Sequence, residues 1–228
     1  MVQTNNPEEL KPLLGLTEPE GIARAFFQGH MGQAWRSDKA ALVQVGDFSR
    51  LYGQPDIQLL EPLCSRGRMT LVEAGPQWDA LLSPVASRRT RYAMALPTQF
   101  DRERLQQGTE LPGFCLREID GELYDQLMEE PWSKDLCGNF EDRRDFLKRG
   151  LGVAALENGL PVAGAASFTL YDDGIEIEID TREDYRRKGL ARACGSALIL
   201  RCLDLGLVPY WDAANLASVH LAEKLGYR

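Results

Sequence analysis

A strand pattern that runs through a basic glycine loop into a long apolar helix constrains the fold of this chain more than any other feature. Residues 174–180 alternate isoleucine with acidic residues, the pattern of a strand with two different faces. The loop Tyr185-Arg186-Arg187-Lys188-Gly189-Leu190-Ala191 follows, and an apolar helix pattern runs from Gly189 to Cys202. A strand that enters a helix through a glycine turn leaves backbone N–H groups unpaired and pointing one way. This junction predicts an α/β chain with an anion-binding loop.

The side chains of this loop favour a diphosphate as the ligand. Gly189 lets the backbone approach a ligand closely, and the small Ala191 leaves room for it. The cations at 186–188 and Arg192 supply matching positive charge. For an isolated glycine turn beside a basic run, a solvated turn is the more frequent explanation. The choice between the two therefore depends on whether a second half of the site follows in the chain.

Helix and strand patterns alternate along the whole chain. In the first half, helix patterns cover 7–14, 18–27, 57–63 and 76–82, and strand patterns cover 33–35, 41–45, 69–72 and 91–96. In the second half, strand patterns cover 114–119, 152–156, 162–170, 174–180 and 209–212, and helix patterns cover 121–130, 141–149, 189–202 and 217–225. Glu157-Asn158-Gly159 predicts a hairpin, and Gly226 predicts a helix C-cap.

A polar, charged stretch at 97–113 marks the predicted domain boundary. We therefore predict an N-terminal α/β domain at 1–110 and a second domain at 111–228. The competing interpretation is that this stretch forms a charged helix inside one continuous domain.

A second motif lies downstream of the loop, where Asn215, Ser218, Leu221 and Lys224 recur every three residues before Leu225-Gly226-Tyr227. Together with Arg186-x-x-Gly189-x-Ala191 and the order of elements, it resembles the GNAT N-acetyltransferase superfamily over about 114–228. Ile179-Asp180-Thr181 and Trp211-Asp212-Ala213 are most similar to the branch that includes zwittermicin-resistance-type acetyltransferases. The resemblance implies a mixed central sheet of the GNAT type with helices on both faces. It also implies a smaller α/β domain before it, of a degenerate GNAT-like type.

The resemblance implies that acetyl-CoA is the acyl donor and lies where strands 174–180 and 209–212 splay apart. Backbone N–H groups of 187–191 would hold the pyrophosphate, and the edge of 179–181 would pair with the pantetheine amides like an added strand. Asn215 would bond the pantetheine arm. The residues implied in cofactor binding are Ile179, Asp180, Thr181, Arg186, Arg187, Lys188, Gly189, Leu190, Ala191, Asn215 and Ser218.

Transfer to an amine needs a base, because an amine acceptor is protonated at neutral pH. Alternation places Glu176, Glu178 and Asp180 on one face of their strand, where we expect them to attract a cationic amine and raise one another's pKa. We predict Glu176 as the base, with Glu178 as second choice. A merely solvated acidic face is the alternative.

Three residues between the early helices are predicted substrate contacts, namely Trp132, Asn139 and Phe140, because this region overhangs the acceptor pocket in the fold that the resemblance implies. Core packing is the competing role for the two aromatic residues. The expected acceptor is a small molecule with a primary amine.

Two departures from the family pattern leave the activity open. Ala222 stands where many relatives have a tyrosine that protonates the leaving thiolate. The given chain ends at Arg228, where such folds continue into a further strand, so either the given chain is short or the sheet edge is open. An open edge would weaken stability and could pair with another chain in a homodimer. A non-catalytic acyl-CoA-binding module is therefore the alternative function, and a structural domain that binds nothing is a third.

Composition excludes several other classes of function. The net charge of −8 argues against a nucleic-acid partner. No stretch approaches the ~20 apolar residues of a membrane span, and the first residues do not form a secretory signal, so a cytoplasmic location is expected. Two histidines and scattered cysteines predict no metal site.

Overall fold

The computed structural model describes residues 1–15, 19–64 and 70–228. It contains two compact units, Met1–Arg89 and Thr90–Arg228. None of the helices among the described residues reaches the length and hydrophobicity that a bilayer span requires.

The first unit is built on one five-stranded sheet whose strands lie side by side in chain order. The strands are β1 (Val2–Thr4), β2 (Gln33–Arg36), β3 (Ala40–Val45), β4 (Phe48–Gly53) and β5 (Leu71–Ala74). All neighbours are antiparallel except β4 and β5, which are parallel. Among the described residues of this unit, the short α-helices beside the sheet are α1 (Lys11–Leu14), α2 (Arg24–Phe27), α3 (Glu61–Cys64) and α4 (Asp79–Leu82).

The predicted β2–β3 hairpin is confirmed, and the predicted helices correspond to α1–α4 and their preceding 3-10 turns. The predicted strand at 69–72 is β5; residue 69 and residue 18 of the second predicted helix lie outside the described residues. The sequence patterns did not identify β1 or β4.

The second unit contains a five-stranded sheet and a two-stranded pair. Its strands are β6 (Tyr92–Ala93), β7 (Cys115–Glu118), β8 (Gly152–Glu157), β9 (Leu160–Leu170), β10 (Gly174–Thr181), β11 (Val208–Tyr210) and β12 (Asp212–Ala213). Its helices are α5 (Arg102–Gly108), α6 (Gly121–Glu129), α7 (Lys134–Cys137), α8 (Arg143–Arg149), α9 (Leu190–Asp204) and α10 (Leu216–Leu225). The large sheet has the order β11-β10-β9-β8-β7, and β12 pairs with β6.

The two large sheets share one pattern of pairing. In the second unit, as in the first, every pair of neighbours is antiparallel except the last in the chain, β10 and β11. The helix starts that follow β4 and β10 differ, however. After β4, the Asp56 side chain accepts a hydrogen bond from the N–H of Gln58 at 3.1 Å and caps the turn. A carboxylate of the protein thus occupies the position where the second unit has its glycine loop.

Local chemistry explains several element boundaries in the second unit. Asn158 and Gly159 both adopt positive φ, 51° and 83°, as the two-residue turn of the β8–β9 hairpin requires. Gly226 ends α10 with a φ of 112°. Helix α9 buries apolar residues around most of its circumference and packs on β8, β9 and β10, which fixes the glycine loop against the sheet.

The segment 90–110, assigned to the first domain from composition, lies in the second unit. Strand β6 pairs antiparallel with β12, and Ala95 and Arg228 exchange backbone hydrogen bonds of 2.7 and 2.9 Å. Leu105 of α5 is 2% exposed in a core cluster shared with α9 and α10. The charged stretch does contain a helix, α5.

Candidate active site

The cleft of the second unit begins where β10 and β11 separate. The two strands pair only at Gly174 with Val208, Ile175 with Pro209 and Glu176 with Tyr210. Strand β11 ends at Tyr210, whereas β10 continues to Thr181. Beyond Glu176, therefore, the edge of β10 has no strand partner on the β11 side among the described residues. This is the splayed pair of parallel strands that the sequence predicted.

A bulge lies at the vertex of this cleft, by which we mean the point at Glu176 where β10 and β11 separate. Glu176 pairs with Thr169 of β9, but Ile177 pairs with Ser167, which leaves Phe168 as an extra residue on β9. Bulges of this kind re-aim side chains beside functional sites. The Asn139 amide nitrogen donates a hydrogen bond to the Phe168 carbonyl at 3.0 Å. Asn139, predicted as a substrate contact, thus anchors the bulge from the α7–α8 connection.

The two faces of β10 differ as its sequence predicted. Ile177 and Ile179 pack against the core cluster that includes α9 and α10. Asp180 pairs with Gly164, and a Cβ on Gly164 would lie 2.6 Å from a methyl of Leu136 in α7. Because directly paired residues point to the same face of a sheet, the acidic side chains of β10 lie on the α7 face.

The glycine loop at the start of α9 presents unpaired backbone groups. Gly189 is the N-cap residue with a φ of 87°, and no side chain caps the helix. The first hydrogen bond of the helix runs from the N–H of Ala193 to the carbonyl of Gly189 at 3.0 Å, so the N–H groups at 190–192 precede the helical ladder. Arg187 also has a positive φ, 64°, which is uncommon for a residue with a side chain. Such alternation of backbone conformation forms an anion-binding nest.

The space beside the loop is open. A Cβ placed on Gly189 would meet no atom within 4 Å. The side chains at 186–188 are exposed, and the Lys188 ammonium lies 4.2 Å from the centre of the Tyr185 ring. Leu190 is buried, and Ala191 is half-buried on the first turn of α9. The loop therefore combines exposed cations with bare amides, which suits a diphosphate group.

The far end of the β10 edge is partly occupied by the protein itself. The Arg186 guanidinium donates to the Thr181 carbonyl at 3.3 Å, and the Thr181 N–H donates to the Asp180 carboxylate at 2.6 Å. Thr181 is therefore not free to pair with a ligand as the sequence implied, because these side chains already satisfy its backbone groups. Burial raises the pKa of Asp180, the Thr181 N–H and Arg186 lower it, and Asp135 of α7 raises it.

Glu176 is the most perturbed acid of the site and lies at the vertex. Its side chain is 9% exposed. The Tyr171 hydroxyl donates to its Oε2 at 3.2 Å, and its Oε1 has no hydrogen-bond partner among the described residues. Burial raises the pKa of Glu176 to about 7, and the charge of Asp212 acts in the same direction. The Tyr171 hydrogen bond, the Asp212 N–H and the charge of Arg91 lower the pKa.

The predicted cause of this perturbation was wrong. The sequence predicts that the acids of β10 raise one another's pKa, but burial is the largest cause for both Glu176 and Asp180. The acids that raise their pKa further belong to other elements: Asp212 has the second-largest effect on Glu176, and Asp135 has a small effect on Asp180. Alternate residues of a strand are about 6.6–7 Å apart, whereas the packing of other elements brings charges closer. Glu178 is half-buried on the same strand.

The site also contains residues that sequence reasoning missed. Arg91 donates from Nε to the Asp212 carboxylate at 2.6 Å and from a terminal nitrogen to the Asp212 carbonyl at 3.2 Å. Tyr171 and Tyr210 stack edge to face with ring centres 5.5 Å apart, and the Tyr210 hydroxyl donates to Asp173 at 2.6 Å. No local pattern signals these contacts, since Arg91 and Asp212 are 121 residues apart.

The second motif forms the start of α10. The Asn215 side-chain oxygen accepts the N–H of Ser218 at 3.0 Å and caps the helix. The Ser218 hydroxyl accepts from the Trp211 indole at 3.1 Å. Asn215 is exposed and Ser218 half-buried, so the motif positions the helix as well as offering polar groups at its end.

The predicted aromatic contacts have different environments. Phe140 is 6% exposed, and its ring centre lies 5.0 Å from that of Phe146 in α8. It is therefore a core residue and not a substrate contact, as the competing interpretation held. Trp132 is half-buried.

Ala222 is fully buried in α10. Tyr227, which follows α10, is 3% exposed, and its hydroxyl donates a hydrogen bond to the Pro209 carbonyl at 2.7 Å.

Comparison with known proteins identifies relatives over nearly the whole chain. A family model described as GNAT acetyltransferase matches residues 13–228. The crystal structure of a GCN5-related N-acetyltransferase-like protein from Streptococcus suis 89/1591 is 41% identical, with a TM-score of 0.89 over 97% of this chain and 94% of that one.

Two further relatives are more distant. "Uncharacterized N-acetyltransferase YdfB" of Bacillus subtilis (strain 168) is 28% identical over 178 residues, which cover 74% of this chain and 65% of that protein. A GCN5-related N-acetyltransferase from Kribbella flavida, with a TM-score of 0.57 and 17% identity over 91% of this chain and 90% of that one, shows likeness of fold alone.

Proposed function

Because the chain belongs to the GNAT acetyltransferase family, whose model matches residues 13–228, we propose that it transfers an acetyl group from acetyl-CoA to a primary amine of a small molecule. The observation that carries the proposal is Glu176, a buried carboxyl at the vertex of the splayed strands with one unpartnered oxygen. A base at that point and an anion nest at the start of α9 are the two parts that amine acetylation from a CoA thioester needs.

The glycine loop supports acetyl-CoA as the donor. The amides at 187–191 and the exposed cations at 186–188 match a pyrophosphate in charge and donor geometry. The edge of β10 before Thr181, which has no strand partner on the β11 side among the described residues, offers backbone groups for the pantetheine amides. Asn215, the N-cap residue of α10, is the proposed partner of the pantetheine arm. When bound there, acetyl-CoA supplies the thioester carbonyl that the amine attacks.

The environment of Glu176 suits proton transfer at neutral pH. With a pKa of about 7, the carboxylate and carboxylic acid forms are both populated. The carboxylate would take a proton from the acceptor ammonium, and the neutral amine would then form the amide bond as the carbon–sulfur bond breaks. The second proton of the amine nitrogen would leave with CoA as its free thiol. Tyr171 holds one carboxyl oxygen, which leaves Oε1 to receive the proton. Glu178 is the second candidate on the same strand.

The acceptor proposal rests on charge and on family likeness. The acids of β10 on the α7 face attract an ammonium group. The likeness of 179–181 and 211–213 to the zwittermicin-resistance branch favours a free amine on a small molecule, with Trp132 as a proposed contact. A cytoplasmic location and a homodimer stay predictions.

Thiol release in the presence of acetyl-CoA and a panel of amines tests the proposal. We expect release with at least one amine, and a loss of roughly 10²–10⁴-fold in kcat/KM in Glu176→Gln. Calorimetric titration with acetyl-CoA accompanies the assay. Binding without transfer to any amine would favour a non-catalytic acyl-CoA-binding module, and no binding at millimolar acetyl-CoA would refute both functions.

A further inference from the structure

We infer that Arg91 and Asp212 form a positioning pair that controls the protonation of Glu176 and so sets the pH range in which the enzyme is active. The inference rests on the proposed function, because it assigns the pair a role through the proposed base. It adds a residue that enters the site from the segment before β7, outside the region that carries the family motifs.

The pair is built by the pairing of β6 with β12. Ala93 pairs with Asp212, which brings Arg91, two residues earlier, across from the Asp212 side chain. The guanidinium binds both the carboxylate, at 2.6 Å, and the backbone carbonyl of Asp212, at 3.2 Å. Both side chains are about 30% exposed. Two bonds to one residue fix the direction in which the Asp212 carboxylate points.

Asp212 reaches Glu176 through its backbone N–H, which hydrogen-bonds to the Glu176 carboxyl at the point where the strands part. Tyr210 is the last residue paired with Glu176, and Asp212 follows it by two residues. The groups that face Glu176 are Tyr171 at the end of β9, Tyr210 of β11, Asp212 of β12, Tyr227 after α10 and Arg91 before β6. Three of these groups are tyrosines, and the other two are an acidic and a basic side chain, Asp212 and Arg91.

The two charges act on Glu176 in opposite directions. Asp212 disfavours the carboxylate of Glu176, and Arg91 favours it. Without Arg91, the charge of Asp212 would raise the pKa of Glu176 further and so enlarge its protonated fraction at neutral pH. A protonated carboxyl cannot accept a proton from an ammonium group. Arg91 offsets this repulsion and also holds the Asp212 carboxylate in place.

The test compares Arg91→Gln, Asp212→Asn and the double variant in pH profiles of kcat/KM. On the acidic side of each profile, kcat/KM falls as Glu176 gains a proton, and we call this part of the profile the acidic limb. We expect the midpoint of the acidic limb to rise by about 1 pH unit in Arg91→Gln and to fall by a similar amount in Asp212→Asn. The double variant should lie between them. Arg102→Gln breaks a comparable ion pair, Arg102 to Asp204 at 2.8 Å, away from the site and should leave the limb in place.

A titration without substrate separates this inference from the proposed function. Carbon-13 NMR of labelled glutamate carboxyls measures the titration midpoint of Glu176 directly. The signal of Glu176 is assigned as the one that is missing in Glu176→Gln. Opposite shifts in the two single variants support the pair even if the wild-type protein acetylates no amine. Active variants whose limb and titration midpoint stay at the wild-type pH, or move in the same direction, would overturn the inference.

Discussion

Replacement of Glu176 by glutamine should make the protein more stable while it removes activity. Glu176 is 9% exposed, and one of its oxygens has no hydrogen-bond partner in the part of the chain that the structure describes, so its ionisation in the folded state is costly. Glutamine has nearly the same shape and keeps an atom beside the Tyr171 hydroxyl. The substitution therefore removes the charge with little change in packing.

The size of the effect follows from the pKa of Glu176. It rises from an ordinary value of 4.5 to about 7, and at about 1.36 kcal/mol per pKa unit this difference corresponds to about 3 kcal/mol. The folded state binds the proton more tightly than the unfolded state. Stability from this group is therefore fully present below pH 4.5 and is lost as the pH rises through about 7.

Urea denaturation between pH 4.5 and pH 8.5 measures this difference. We expect the two proteins to have similar free energies of unfolding at the acidic end and Glu176→Gln to be more stable by about 3 kcal/mol at the alkaline end. Glu183→Gln, the same change at an exposed position, is the control and should alter stability by no more than about 0.5 kcal/mol. If the difference in free energy of unfolding between the wild type and Glu176→Gln stayed constant across this pH range, burial would not raise the pKa of Glu176 as we infer.

Three further predictions concern the loop, the base and the packing. Gly189→Glu should abolish calorimetric binding of acetyl-CoA, whereas Gly206→Glu, at an equally open glycine with a φ of 71°, should retain it; equal affinities would show that the loop is misassigned. The kcat/KM of the wild-type protein should fall below a midpoint near pH 7 as Glu176 gains a proton, and a profile flat to pH 5 would exclude Glu176 as the base. Leu105→Ala should lower the free energy of unfolding by about 2–5 kcal/mol in urea denaturation, because Leu105 is 2% exposed against α9 and α10; a loss under 1 kcal/mol would contradict this packing.

Local patterns were enough to predict much of the second unit. The positive φ at Gly189, the Asn158–Gly159 turn and the cap at Gly226 each depend on residues next to one another in the chain. The alternation in β10 predicted its two faces, because the side-chain period of a strand is independent of its partners. The same local logic predicted the buried Glu176 as the candidate base, though for a partly wrong reason.

The amino-acid sequence by itself thus determined the glycine loop, the strand faces and the choice of Glu176. The tertiary structure alone decided that 90–110 joins the second unit, that Phe168 bulges at the vertex, and that Arg91 meets Asp212. These contacts join residues far apart in the chain, and their formation depends on which surfaces are buried together. Burial and the approach of distant charges also set the pKa of an acid, so the residue could be predicted from sequence but the groups that tune it could not.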